Sequence, residues 1–265
     1  MTAPKRVLIL GGGCAGVDAA WSLSRTAEDR AKYRVAVMQS GFRLGGKGAT
    51  GRDPERNDAV LEHGLHLWLG FYHKAFGMMA DVFEAWDAPA EGPLRSLETA
   101  FQPLRDVALV GREDDLTDVW NLRLPMLPGR PWHPPGLSRN DVPDLLGLAR
   151  SLVRAVALLK GSDGLGLRRL ATVRQLGTVM ALGLVKEVAR HGRDAYDHMN
   201  DSDLRAWLRE HGASDAVADC PPVRALYDLG FAYPDGVGGP GRGAMAAGAG
   251  VRVLTKLAVG YRGAP

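Results

Sequence analysis

The chain is poor in cysteine, with Cys14 and Cys220 its only two in 265 residues. Cys14 falls within a glycine-rich turn and would be a poor disulfide partner, so a reducing compartment, the cytoplasm, is the expected setting. Long apolar runs are also missing. No stretch reaches the roughly 18 uncharged residues that a membrane-spanning helix needs. The chain enters an apolar run directly after Lys5, so no secretory leader is expected. Charge of one sign is in short supply too. There are 33 Lys and Arg against 30 Asp and Glu, a net charge of +3. With no long basic run and no RNA-binding motif, nucleic acid is not an expected partner. What remains is a globular composition, 46% hydrophobic, in a length that allows one large or two small domains.

Glycine is plentiful, and its placement near the amino terminus carries the first functional signal. Arg6-Val7-Leu8-Ile9-Leu10 is an apolar run rich in strand formers and leads into Gly11-Gly12-Gly13-Cys14-Ala15-Gly16. Val17, Ala20, Trp21 and Leu23 follow at helical spacing, and Tyr33 to Met38 is a second strand-like run. This is strand, glycine turn, helix, strand, with Gly11, Gly13 and Gly16 in the G-x-G-x-x-G places. Gly11 permits the sharp turn, Gly13 lets a pyrophosphate approach the backbone, and Gly16 lets helix pack on strand. The free N–H groups and partial positive charge of the helix start suit a diphosphate. Gly11, Gly13, Cys14, Ala15 and Gly16 are therefore candidate cofactor-binding residues. Gln39 and Ser40, at the end of the second strand, are candidates for the ribose. An acidic residue is usual there, and Gln39 lacks its charge-assisted acceptor.

Two further segments narrow the reading. Arg43-Leu44-Gly45-Gly46-Lys47-Gly48 follows the second strand, and Leu61-Glu62-His63-Gly64-Leu65-His66 comes soon after. Together with the glycine turn they resemble the flavin amine oxidase and phytoene desaturase-like superfamily, most strongly over residues 5–80. The resemblance implies an α/β fold: a Rossmann-like FAD-binding βαβ domain with a mainly helical second domain. It implies FAD as cofactor and hydride removal from a C–N or C–C bond. It adds Arg43, Leu44, Gly45, Gly46, Lys47, Glu62, His63 and Gly64 to the expected cofactor contacts. His63 and His66 are the only catalytic candidates, and loose ones. Members of this superfamily are usually much longer, and their C-terminal part completes the FAD domain. The chain therefore resembles the N-terminal half of such an enzyme, its FAD-binding domain incomplete. The expected partner is a separate polypeptide resembling the C-terminal half; an artificially shortened chain is the alternative. Two competing readings are a non-catalytic scaffold subunit and a nicotinamide-binding reductase component.

Other patterns point elsewhere and fail. Gly41-x-x-x-x-Gly46-Lys47 imitates a nucleoside-triphosphate loop, but Gly48 stands where a magnesium-binding Ser or Thr is required. His63, His66 and His73 with Glu62 suggest a metal site on paper, and none is expected.

The rest of the chain is read for organisation. Residues 41–66 are expected to be loop. Leu69, Tyr72, Phe76, Met79, Phe83 and Trp86 recur at helical spacing and are expected to be core, with Pro89 and Pro93 beyond the helix end. Residues 98–124 read as a β-hairpin. The six prolines of 125–144 mark a connector, which places the FAD-binding domain at 1–135 and the helical substrate or interface domain at 136–265. Helices are expected over 145–160, 167–190, from a cap at Asp201 or Ser202 to Gly212, and over 222–231. The helices of 145–190 are candidates for the partner interface. The seven glycines of 236–250 suggest a mobile or closely packed loop, followed by a last helix over 251–259.

Overall fold

The computed structural model describes residues 3–64, 66–104, 106–113, 116–123, 129–132, 167–238 and 242–259. The chain divides into two compact units, Met1–Ala100 and Phe101–Pro265. It is α/β, with a Rossmann-like first unit and a mainly helical second. The expected helix over 145–160 and the boundary read at residue 135 lie outside the described residues.

In the first unit β1 (Lys5–Leu10) and β2 (Tyr33–Met38) run parallel, paired from Lys5 with Tyr33 to Leu10 with Met38. Two helices rather than one connect them, α1 (Cys14–Ser22) and α2 (Ala27–Lys32). The break comes at Thr26, which starts a helix of its own. Its Oγ1 accepts the Asp29 N–H at 3.0 Å, and Glu28 and Asp29 fill the first turn. The strands alternate cleanly. Val7, Ile9, Val35 and Val37 are partly buried, whereas Leu8, Leu10 and Met38 stay 58%, 78% and 59% exposed. Parallel strands normally have both faces covered, so one apolar face of this sheet is bare.

The stretch expected to be loop carries some order. Gly46–Gly48 is a 3-10 turn, and β3 (Gly51–Asp53) pairs antiparallel with β4 (Ala59–Leu61). Asn57 and Asp58 reverse the chain between them at φ +54° and +56°, a conformation their short polar side chains tolerate. α3 (His73–Ala85) realises the predicted apolar stripe only in part. Phe76 is buried against the edge of Trp68, Met79 and Phe83 are half-buried, and Tyr72 and Trp86 remain over 40% exposed. α4 (Leu97–Ala100) ends the unit.

The second unit begins with the expected hairpin, β5 (Asp106–Glu113) against β6 (Leu116–Arg123). Among the described residues its α-helices are α5 (Leu167–His191), α6 (Ala195–Met199), α7 (Leu204–Glu210), α8 (Asp215–Ala218), α9 (Pro221–Leu229) and α10 (Ala247–Val259). Trp120 of the hairpin joins Leu176, Val179, Leu184, Leu204, Trp207, Leu208, Val217, Val223, Tyr227 and Val251 in one core. The glycines of the last loop are packing devices where the helix begins. A Cβ on Gly248 would lie 1.9 Å from the Tyr196 carbonyl oxygen, so α10 starts at Ala247 and seats closely on α6.

The cap of α7 is Asp203, not Asp201 or Ser202. Its Oδ1 accepts the Arg205 and Ala206 N–H groups at 2.9 and 3.4 Å. Only Asp203 also reaches inward, where Oδ2 accepts the Tyr227 hydroxyl at 2.9 Å and the Met245 N–H at 3.1 Å. The far end closes as read. Gly212 takes φ +96°, its N–H donates to Arg209 and that of Ala213 to Leu208, the pattern of a Schellman cap.

Both cysteines are free thiols. Burial pushes the Cys220 thiol from 9.0 up to about 11, and burial with the Asp203 hydrogen bond raises Tyr227 as well. A raised folded-state value means that the unfolded chain loses its proton first. Stability is therefore fully present below pH 9 and falls as pH rises, by about 1.4 kcal/mol per pH unit for each such group. Denaturant unfolding across this range checks it. Cys220→Ala should flatten the slope between about pH 9 and 10. An unchanged slope there would assign the effect to other groups.

Candidate dinucleotide site

The site is built where β1 gives way to α1. Gly11 extends the ladder by donating to the Met38 carbonyl at 2.8 Å, then turns at φ +99°, a region open to glycine. Gly13 caps α1 with no side chain and with extended backbone. The first helical bond runs from the Val17 N–H to the Gly13 carbonyl at 2.9 Å. The N–H groups of Cys14, Ala15 and Gly16 thus precede any intrahelical acceptor, and the first turn holds no acidic side chain. A Cβ built on Gly13 meets nothing within 4 Å. The space over the helix start is open, as an approaching diphosphate requires. A Cβ on Gly16, in contrast, would lie 2.1 Å from the Gly11 carbonyl oxygen. This glycine lets helix and strand touch.

The Arg43–Gly48 turn lies on this loop, backbone against backbone. The Gly45 N–H donates to the Gly12 carbonyl at 2.7 Å, and Gly13 and Gly45 form an isolated parallel bridge. A Cβ on Gly46 would sit 3.0 Å from the Gly13 Cα, and one on Gly48 2.6 Å from the Cys14 sulfur. Cys14 Sγ–H donates to the Gly45 carbonyl at 3.6 Å. Leu44 covers Gly12, with its Cδ2 only 2.3 Å from where a Cβ would be. Gly45 and Gly46 take φ +111° and +55°. The two glycine-rich segments, about thirty residues apart in sequence, form one surface.

Gln39 joins them. Its Oε1 accepts the Gly12 N–H at 2.7 Å, and its Nε2 donates to the Arg43 carbonyl at 3.2 Å. One acceptor and one donor are needed here. A glutamate would satisfy Gly12 and repel the Arg43 carbonyl, which gives a physical reason for an amide at this position. Ser40, next along, is exposed.

The remaining candidates form a chain of contacts around the turn. Arg43 donates to the Thr50 carbonyl at 2.7 Å, and the Thr50 hydroxyl donates to Glu62 Oε1 at 2.6 Å. His66 Nδ1 lies 3.3 Å from the same oxygen, and His66 Nε2 lies 3.1 Å from the Lys47 carbonyl. A carbonyl only accepts, so Nε2 carries a proton. His63 is exposed, and Gly64 takes φ +103°. Sequence reading passed over Thr50, whose part is played by a backbone carbonyl and a hydroxyl that no motif records. Lys47 sits in a 3-10 turn rather than at the start of an α-helix, which removes the triphosphate-loop reading.

A shallow cleft of about 620 Å3 lined by Trp21, Arg25, Asp81 and Glu84 lies beside the far end of α1. It is at the negative end of that helix and does not suit a diphosphate.

The glycine surface decides the class. Residues 9–82 match the NAD(P)-binding Rossmann-like domain. That span contains the glycine loop, β2, the Arg43–Gly48 turn and most of α3, and it points to a dinucleotide cofactor and oxidoreductase chemistry. No curated protein and no solved structure matches the chain. Among the described residues no helix is long and apolar enough to cross a membrane.

Proposed function

We propose that the chain is the FAD-binding subunit of a split oxidoreductase that removes hydride from a C–N or C–C bond of a small or lipophilic substrate. The observation that carries the reading is the Arg43–Gly48 turn laid on the glycine loop. One dinucleotide-binding turn serves many oxidoreductases, but a second glycine turn closing on the first is what the flavin-dependent resemblance requires. Bound FAD would supply the hydride acceptor. The N–H groups of Cys14, Ala15 and Gly16 would bind its diphosphate, with the Arg43–Lys47 turn beside them. Open space over Gly13 fits such a group. Gln39 ties the two turns together, and the exposed Ser40 would offer its hydroxyl to the ribose. His66, fixed between Glu62 and the Lys47 carbonyl, would hold a proton at Nε2, while the exposed His63 is the freer candidate for substrate. The free thiols agree with a reducing cytoplasm.

The partner is a second polypeptide that would supply the rest of the FAD domain. Support comes from the bare sheet face of Leu8, Leu10 and Met38, an apolar surface on strands that this architecture normally covers. The non-catalytic scaffold reading draws on Gln39, whose amide is engaged with the loop instead of offering an acid to a ribose.

The test is the visible spectrum and size of the chain purified alone, then co-expressed with a polypeptide resembling a flavoenzyme C-terminal half. A colourless or aggregated single chain and a yellow, discrete pair is the expected result. A soluble, yellow, active monomer would remove the partner. A discrete but colourless pair would favour the scaffold.

A further inference from the structure

Glu187 is a carboxylate in the wrong place for solvent. It lies on α5 with its side chain 8% exposed, and its Oε2 has no hydrogen-bond partner. Its other oxygen is held. Trp207 Nε1–H donates to Oε1 at 3.5 Å, and His211 Nε2 lies at the same distance from it. His211 Nδ1 faces the Trp207 carbonyl at 2.9 Å and must donate to it. These contacts fix the carboxylate and leave Oε2 pointing at two imidazoles.

Those imidazoles are His191, one turn further along α5, and His198 on α6, reached through a 3-10 turn that Gly192 opens at φ +56°. His191 Nε2 is 3.8 Å and His198 Nδ1 3.6 Å from Oε2. All three ligand atoms lie within 4.8 Å of one another. The rings stack face to face, with centroids 3.7 Å apart and planes 14° apart, so a shared ion requires the exposed His198 ring to turn until its in-plane lone pair meets that of His191.

The distances discriminate. At 3.8 and 3.6 Å neither imidazole is within hydrogen-bond reach of Oε2. Charging both rings to make two ion pairs would place like charges in van der Waals contact. A tetrahedral ion with bonds of about 2.0–2.1 Å separates its ligands by about 3.4 Å, a few tenths of an ångström below the two oxygen–nitrogen distances. Two neutral imidazoles and one carboxylate are the donor set that suits zinc and similar divalent transition metals. An ordered carboxylate, its second oxygen hydrogen-bonded, is the usual outer support of such a ligand.

We infer that Glu187, His191 and His198 form a binding site for a divalent transition metal, zinc by donor set. His198 is 54% and His191 31% exposed, so the ion enters from solvent and keeps a fourth position for water or a substrate atom. The site stands apart from the flavin reading and does not depend on it.

Metal-stripped protein should bind a single equivalent of Co2+, seen as visible ligand-field bands to the red of any flavin absorption, and Zn2+ should displace it. Zn2+ should also raise the melting temperature. His198→Ala, at an exposed position that leaves folding intact, should weaken Zn2+ binding by more than the roughly 100-fold that loss of an outer-shell partner costs. Glu187→Gln should do the same if it folds. Absence of binding, or binding of equal affinity in His198→Ala, would overturn the site and leave a packed cluster of histidines around one carboxylate.

Discussion

Gly13→Asp should abolish flavin binding while leaving the chain folded. Position 13 caps α1 with φ −71° and ψ 177°, a conformation open to any residue, and a Cβ there meets nothing within 4 Å. Aspartate is among the best helix caps, and here it would supply the side-chain cap that α1 lacks. The same carboxylate would occupy the space over the helix start, about 4 Å from a bound diphosphate. At an effective dielectric of about 20, one such charge pair costs about 4 kcal/mol, close to a thousandfold in affinity. Flavin titration of the variant and the parent, each co-expressed with the partner polypeptide and checked for helix content, measures it. Binding within about tenfold of the parent would place the diphosphate elsewhere.

Asp203→Ala should be the most damaging single change in the helical unit. It removes the cap of α7, worth about 1 kcal/mol. It also strands the Tyr227 hydroxyl and the Met245 N–H, groups whose desolvation costs about 1–3 kcal/mol each when unpaired. The sum is about 3 kcal/mol or more, a large share of a domain's stability. Asp203→Asn keeps one acceptor oxygen and should lose roughly half as much. Denaturant midpoints of the three proteins decide this. A loss below about 1 kcal/mol for alanine would mean that solvent takes over the stranded groups.

Much of the first unit is written in local sequence. Apolar runs of strand length, three glycines at fixed spacing and a helical stripe place β1, α1 and β2 because each signal concerns neighbours in the chain. The break at Thr26 was legible in principle, since Thr followed by Glu28 and Asp29 is a helix-start pattern, but the apolar periodicity stops at Leu23 and marks no second helix. The caps of α7 show both sides. Gly212 ends the helix by backbone conformation, a property of the residue itself. Asp203 is chosen over Asp201 and Ser202 because Tyr227 and Met245, brought there by packing, offer it two further partners.

The site divides in the same way. Sequence alone determined that this chain presents a dinucleotide loop, since glycine at positions 11, 13 and 16 acts through what it lacks, a Cβ. It also supplied Arg43 to Lys47 and Glu62 to Gly64 as residues to watch. Only the tertiary structure decided what they touch: Gln39 spent on two backbones, His66 held between Glu62 and a carbonyl, one sheet face left bare. It alone brought His198 to Glu187 and His191, whose i, i+4 spacing looks on paper like a common helical ion pair. Periodicity reports which face a residue occupies. Which group from elsewhere meets that face depends on long-range packing, and no short stretch of chain records it.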